Sequence, residues 1–174
     1  MPITYLYSSK KFALAALMML AFGFALWLYV TTAVPGLIVR TGIEAEAAQL
    51  QRAANRLGIA HSTGYPIFTM LGHLAARLGE TLGQSPYTWV TYLSGLFGAI
   101  SVVLFFLLAL RLTSIPAATA ATFLFIVTNT IWYAATITET QTLNAICLIG
   151  ILWLSVIYIQ HPEHFYPLIG MVVL

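Results

Sequence analysis

Five acidic side chains are all that this 174-residue chain carries, and none of them is an aspartate. One, Glu46, sits where an acid is costly. Over residues 43–57 the apolar positions recur with helical spacing. At about 100° per residue and with Leu50 as zero, Ile43, Ala47, Ala53, Ala54 and Leu57 all fall within about 60° of it. Arg52, Asn55 and Arg56 lie on the opposite side. Glu46 projects about 40° from Leu50, inside the apolar stripe, with Glu44 on the polar shoulder. A carboxylate held against a low-dielectric surface must be paired, protonated or used in chemistry. The chemistry open to it is proton abstraction from a hydroxyl, as a general base. The plainer reading is an acid near a helix N-terminus that complements the dipole. Glu139 is a second candidate, at the mouth of an apolar run with Gln141 and Asn144. An ionisable group at the edge of a membrane segment is by default a functional hypothesis, and a helix cap is its bland alternative. His61 and His73 stand twelve residues apart across a turn. No third ligand has recognisable spacing, so a metal site is unsupported and no cofactor is expected. Each histidine reads first as a hydrogen-bonding residue.

The elements that must position these groups are mostly apolar. The chain is 60% hydrophobic and 7% charged, against about 25% charged in an ordinary soluble domain. Its mean hydropathy is +0.91. The apolar runs are long and continuous rather than alternating, so spanning helices are expected and a barrel is not. The net charge of +2 is too small and scattered to suggest nucleic acid as a partner. Cys147, the single cysteine, lies in an apolar run and can form no intrachain disulfide. The partner these numbers require is the lipid bilayer.

Taken in order, a short polar head ends at Lys10 and Lys11. A span follows over residues 12–34, too long for the core of a signal peptide, and Pro35 and Gly36 stop it. Residues 42–80 form a polar-bearing loop with two amphipathic helices. The first, suited to lie along a membrane surface, is ended by Gly58. The second opens at Pro66 and places His73 and Arg77 at i, i+4. Further spans are expected at 89–110, 117–133 and 138–159. Ser94, Gly95 and Gly98 allow close helix approach in the second. A fifth span starts at 165–174, but ten residues cannot cross a core of about 30 Å. The chain therefore reads as a single membrane domain from the N-terminal part of a longer polytopic protein.

The residues TAVPG at 32–36 and EAAQLQRAANRLGIAHSTGYPIFTMLGHL at 46–74 resemble a bacterial membrane family catalogued as domain of unknown function 2723, grouped with glycosyltransferases of class 117. The segments WVTYLSGLFGAISVVLFFLLALRLT at 89–113 and WYAATITETQTLNA at 132–145 fit the same pattern. The likeness covers about residues 26–160, and its specific part is LGIA followed by the HSTGYP turn. The resemblance implies a GT-C fold related to protein O-mannosyltransferases: an all-α polytopic helical bundle in the inner (plasma) membrane. Such an enzyme uses a polyprenyl-phosphate sugar donor and a protein or glycan acceptor on the extracytoplasmic face. It implies a catalytic acid in the first outer loop, matched here by Glu46, where the family typically has Asp. The family's following Glu is matched by Gln49. Gln49, His61, Tyr65, His73 and Glu139 are then the candidate substrate-binding residues. The positive-inside count leans slightly against a cytoplasmic N-terminus, since Lys10, Lys11 and Arg111 oppose Arg40, Arg52, Arg56 and Arg77. A long folded loop and the resemblance favour a cytoplasmic N-terminus, with loop 35–88 extracytoplasmic. The rival readings are a transporter-like protein and a non-catalytic family member.

Overall fold

The computed structural model describes the backbone of residues 3–38, 43–60, 64–164 and 166–173, with side chains from residue 12 and, after the first gap, from residue 46. Among the described residues there are eight α-helices and no strands. They are α1 (Ile3–Thr32), α2 (Ile43–Arg56), α3 (Pro66–Thr81), α4 (Pro86–Leu112), α5 (Ile115–Val127), α6 (Asn129–Thr136), α7 (Gln141–Gln160) and α8 (Tyr166–Val173). The all-α bundle and the two amphipathic loop helices expected from the sequence are both present.

Three helical segments are long and apolar enough to cross a membrane: Phe12–Thr32, Pro86–Leu112 and Gln141–Gln160. The third apolar run is not one straight helix. It breaks at Thr128, and α5 and α6 meet at 52°. Counted as one span, the bent pair makes four. These crossings make the chain an integral membrane protein.

The bundle is organised around α4, which packs against α1, α3, α5, α6 and α7 and touches α2. Its small residues explain why. A Cβ on Gly98 would come within 2.9 Å of the Ala135 Cβ and 3.2 Å of the Tyr29 ring. Backbones can approach this closely only where side chains are absent, and close van der Waals packing is what holds helices together in lipid. Tyr29 fills the α1–α4 seam, fully buried, and its hydroxyl donates to the Ile126 carbonyl at 2.9 Å. Further along, Phe105 and Phe125 stack with ring centroids 4.4 Å apart. By contrast the lipid-side residues of α1, such as Met19, Leu20 and Trp27, are exposed.

The two loop helices cap one end of this bundle. Leu50, Ala53 and Ala54 of α2 share a buried cluster with Phe68 and Ala76 of α3 and Val90 and Phe97 of α4. The apolar stripe of α2 is thus used on protein. Its end also differs from expectation. Leu57, rather than Gly58, takes the left-handed conformation, at φ 51°. The Leu57 N–H reaches the Ala54 carbonyl at 3.4 Å and the Gly58 N–H reaches the Ala53 carbonyl at 2.8 Å. That is the Schellman pattern, which favours glycine at the position Leu57 occupies.

Candidate active site at the loop end of the bundle

The segment between α6 and α7, residues 137–140, is not the helix start that the apolar run suggested. It is non-helical, and α7 begins only at Gln141. Ile137 packs with Ile38 and Ala47 of α2, which brings the N-terminal half of α2 against this segment. Glu139 is buried, with 4% of its surface exposed, and Glu46 is half-buried. The Glu139 carboxyl is held above the ordinary carboxylate range, first by burial and second by the negative charge of Glu46. A hydrogen bond from the Thr140 backbone opposes this in part. Two acids almost a hundred positions apart in sequence therefore feel one another's charge at the mouth of the bundle.

What holds them there is a chain of buried polar groups. Gln51 is completely buried. Its Oε1 accepts the Ile38 N–H at 3.0 Å. Its Nε2 donates to the carbonyls of Gly36 and Tyr87 at 3.0 and 3.2 Å, and to Thr91 Oγ1 at 3.1 Å. The Thr91 and Thr138 hydroxyls share a 2.9 Å hydrogen bond. Ser94 grips the peptide of Glu139 from both sides: its Oγ accepts the Glu139 N–H at 3.1 Å and donates to the Glu139 carbonyl at 3.2 Å. The stretch after α1 is tied in by Val34 N–H to the Thr136 carbonyl at 2.9 Å and Gly36 N–H to Thr88 Oγ1 at 2.8 Å. Buried polar groups are costly unless bonded; among the described residues, the buried side-chain atoms Thr142 Oγ1 and Asn55 Oδ1 have no hydrogen-bond partner.

The remaining sequence candidates lie apart from the acid pair. The His73 ring Nδ1 is 3.0 Å from the Ala54 carbonyl, so Nδ1 carries the proton, and Nε2 accepts from Arg77 Nε at 3.3 Å. Both ring nitrogens are spent on helix contacts. Ala54 is eight residues along α2 from Glu46, about 12 Å at 1.5 Å per residue. Arg77 is also bound to Glu80, at 2.6 Å. Tyr65 is half-buried, precedes Pro66 with φ 39°, and packs against the Leu50–Phe68 cluster. Gln49 is exposed and lines an open cleft of about 400 Å³ with Arg52, Arg56 and residues 58–60. His61 lies outside the described residues, as does the side chain of Glu44. A cleft of about 300 Å³ between α6 and α7, which Glu139 does not line, has Gln141, Asn144 and Thr130 among apolar residues Ile131, Ala134, Ala145 and Leu148. Among the described residues no three His, Cys, Asp or Glu side chains are grouped to hold a metal.

Gln51, Thr91, Ser94 and Thr138 were missed by reading the sequence. Gln51 lies about 100° from Leu50 on the helical projection, outside the apolar stripe. The stretch 36–38 covers that shoulder, and no periodicity signals it. The available signal was the pair of hydroxyls at i, i+3, Thr91 and Ser94, within a membrane helix.

An acid pair of this kind can divide labour. The group held above its usual range keeps its proton to higher pH and can donate a hydrogen bond, while its partner can accept a proton.

Residues 46–166, more than half of the chain, match the family model described as the protein O-mannosyl-transferase TMEM260 N-terminal domain. A relative from Mus musculus, "Protein O-mannosyl-transferase TMEM260", is 41% identical over 68 residues. That alignment covers 39% of this chain and 9% of the mouse protein, so the matched part is a small share of the relative's length. No solved structure matches the chain.

Proposed function

Because the chain belongs to the family of the TMEM260 N-terminal domain, we propose that it is part of a membrane glycosyltransferase. It transfers a sugar from a polyprenyl-phosphate donor to a hydroxyl-bearing protein or glycan acceptor at the extracytoplasmic face. The observation that supports this reading is the packing of Ala47, next to Glu46 on α2, with Ile137 of the segment that carries Glu139. The relative's name supplies the reaction class. The family likeness seen in the sequence supplies the lipid-linked donor and a cytoplasmic N-terminus, which puts loop 35–88 outside.

In this mechanism Glu46 accepts the proton of the acceptor hydroxyl as general base. The hydroxyl oxygen forms a bond to the anomeric carbon. The bond from that carbon to the phosphate oxygen breaks, and its electron pair leaves with polyprenyl phosphate. Glu139, whose carboxyl keeps its proton to higher pH than an ordinary one, hydrogen-bonds an oxygen of the bound sugar or acceptor. The Gln141–Asn144 cleft, lined by both polar and apolar side chains, takes the phosphate-proximal part of the lipid. His73 serves packing rather than substrate, because both its nitrogens are engaged. Gln49 and Tyr65 contact substrate only beyond the acid pair.

The test is sugar transfer from a polyprenyl-phosphate donor by the full-length protein and by Glu46→Ala. Loss of a general base lowers the rate by about 10²- to 10⁴-fold. Equal rates would remove Glu46 from the mechanism.

A further inference from the structure

The peptide that carries Glu139 belongs to no helix, yet it is held by two hydroxyls of α4. Ser94 takes both the N–H and the carbonyl of Glu139 itself, at 3.1 and 3.2 Å. Thr91, one turn earlier, holds the Thr138 hydroxyl at 2.9 Å. Thr91 is in turn bonded to the buried Gln51 amide of α2, at 3.1 Å. Gln51 lies five residues, a little more than one turn, after Glu46 on the same helix. A run of hydrogen bonds thus connects the helix bearing Glu46, through Thr91 of α4, to the Thr138 side chain next to Glu139, and Ser94 of the same helix holds Glu139 itself. Both hydroxyl residues and Gln51 are completely buried, so water does not compete for these bonds.

We infer that Gln51, Thr91 and Ser94 are positioning residues that set how closely the Glu139 carboxyl faces Glu46. The inference rests on the reading of that acid pair as the site, and it adds a mechanical origin for the pair's separation. A side chain held on an irregular segment has many orientations open to it. Fixing the segment at two successive residues sets where the Glu139 side chain starts, and sub-ångström placement of interacting groups is what catalysis requires. The charged group acting on the Glu139 carboxyl is Glu46, from α2. The Thr140 backbone acts from the segment itself, and α4 presents hydroxyls and no charge there. Loosening the segment therefore weakens one identified repulsion and the burial together.

The experiment reads Glu139 directly, without an activity assay. The full-length protein in lipid nanodiscs is treated with dicyclohexylcarbodiimide, which modifies protonated carboxyls. Modification of Glu139 is followed by mass spectrometry across pH. Glu46→Gln should move the midpoint down, because a repelling neighbour is gone. Ser94→Ala and Thr91→Val should also move it down, and Thr91→Ser, which keeps the hydroxyl, should return it to the parent value. In the transfer assay the same two variants should lose about 10- to 100-fold in kcat while the donor KM changes less than about threefold. Should Ser94→Ala fail to fold, the Thr91→Val and Thr91→Ser pair, near-isosteric with the parent, decides alone. Unmoved midpoints in folded Thr91→Val overturn the inference, as does loss in Thr91→Ser equal to that in Thr91→Val. Midpoints that move as stated in a protein that transfers no sugar uphold the positioning role and remove the glycosyltransferase reading.

Discussion

The two helices of the loop, α2 and α3, are of similar length and both amphipathic, yet they spend their apolar faces differently. The buried residues of α2 are mostly small: Ala47, Ala48, Ala53 and Ala54 beside Leu50. They let α2 lie close on α3 and α4, with Gln49, Arg52 and Arg56 left outward. In α3 the buried face is made by Phe68, Thr69, Gly72, Ala76 and Gly79. Its large apolar residues Ile67, Met70, Leu71, Leu74 and Leu78 are exposed. Next to them runs an apolar groove of about 430 Å³, walled by Trp89, Tyr92 and Phe97 of α4. Large aliphatic side chains in water would be unfavourable by roughly 25 cal/mol per Å². In an integral membrane protein they are the face turned to acyl chains. Helical periodicity is the same in both cases; side-chain size separates the helix that packs on protein from the helix that meets lipid.

The largest expected effect on this contrast comes from Gln51→Leu. It strands the Ile38 N–H and the Gly36 carbonyl, at about 1–3 kcal/mol for each group left unbonded, while the Tyr87 carbonyl keeps its bond from the Thr91 hydroxyl. Chemical denaturation of the full-length protein in detergent should show a loss of at least about 2 kcal/mol. Next is Gly72→Leu, which forces α2 and α3 apart, because even a Cβ there would stand 2.8 Å from the Ala54 Cβ. Overpacking of this kind costs about 1–3 kcal/mol, and a fall in the thermal midpoint would report it. A null result would mean that the two helices do not rely on their close contact.

Glu139 supplies a pH-dependent effect. Its native carboxyl holds its proton to higher pH than the ordinary value of 4.5. The native state therefore binds more protons than the unfolded chain between 4.5 and the raised value. Stability is present below that window and is lost as pH rises through it. Glu139→Gln should abolish this fall, visible as thermal midpoints that no longer decline above pH 4.5. Smaller still is Leu57→Gly, which relieves a left-handed leucine at φ 51° and should stabilise by about 0.5–1 kcal/mol after glycine's own entropy is counted. Finally, spin labels at Leu74→Cys and Arg52→Cys, on a Cys147→Ala background, sharpen the contrast itself. The first should be quenched by oxygen dissolved in lipid and the second by a water-soluble nickel chelate. Equal accessibility would erase the distinction between the helices.

The class of fold was legible because its signal is additive: long apolar runs, and periodic stripes over 43–57 and 67–78. Interruptions were not. The break at Thr128 carries no proline or glycine, and Thr128 and Asn129 are small polar residues that a hydropathy window averages away. The onset of α7 was hidden in the same way, because Ile137 and Thr138 extend the apolar count while their backbone is irregular. For the site, Glu46 stood out because a helical projection exposes an acid within an apolar stripe. Its nearness to Glu139 depends on how α2 docks against the 137–140 segment, a tertiary fact with no local signature. His73 drew notice through its residue type alone, and its ring nitrogens are engaged by the Ala54 carbonyl and Arg77.

The bend between α5 and α6 has a consequence for how the protein is made. Interrupting a membrane helix leaves backbone carbonyls without their partners four residues on, and hydrocarbon offers no replacement. The Ile126 carbonyl, just before the break, is met by the Tyr29 hydroxyl of the first crossing at 2.9 Å. The kinked crossing thus gains support from a neighbour synthesised about a hundred residues earlier, and vectorial synthesis delivers that neighbour first. Circular permutation that places α1 last would ask the third crossing to enter lipid with its bend unsupported.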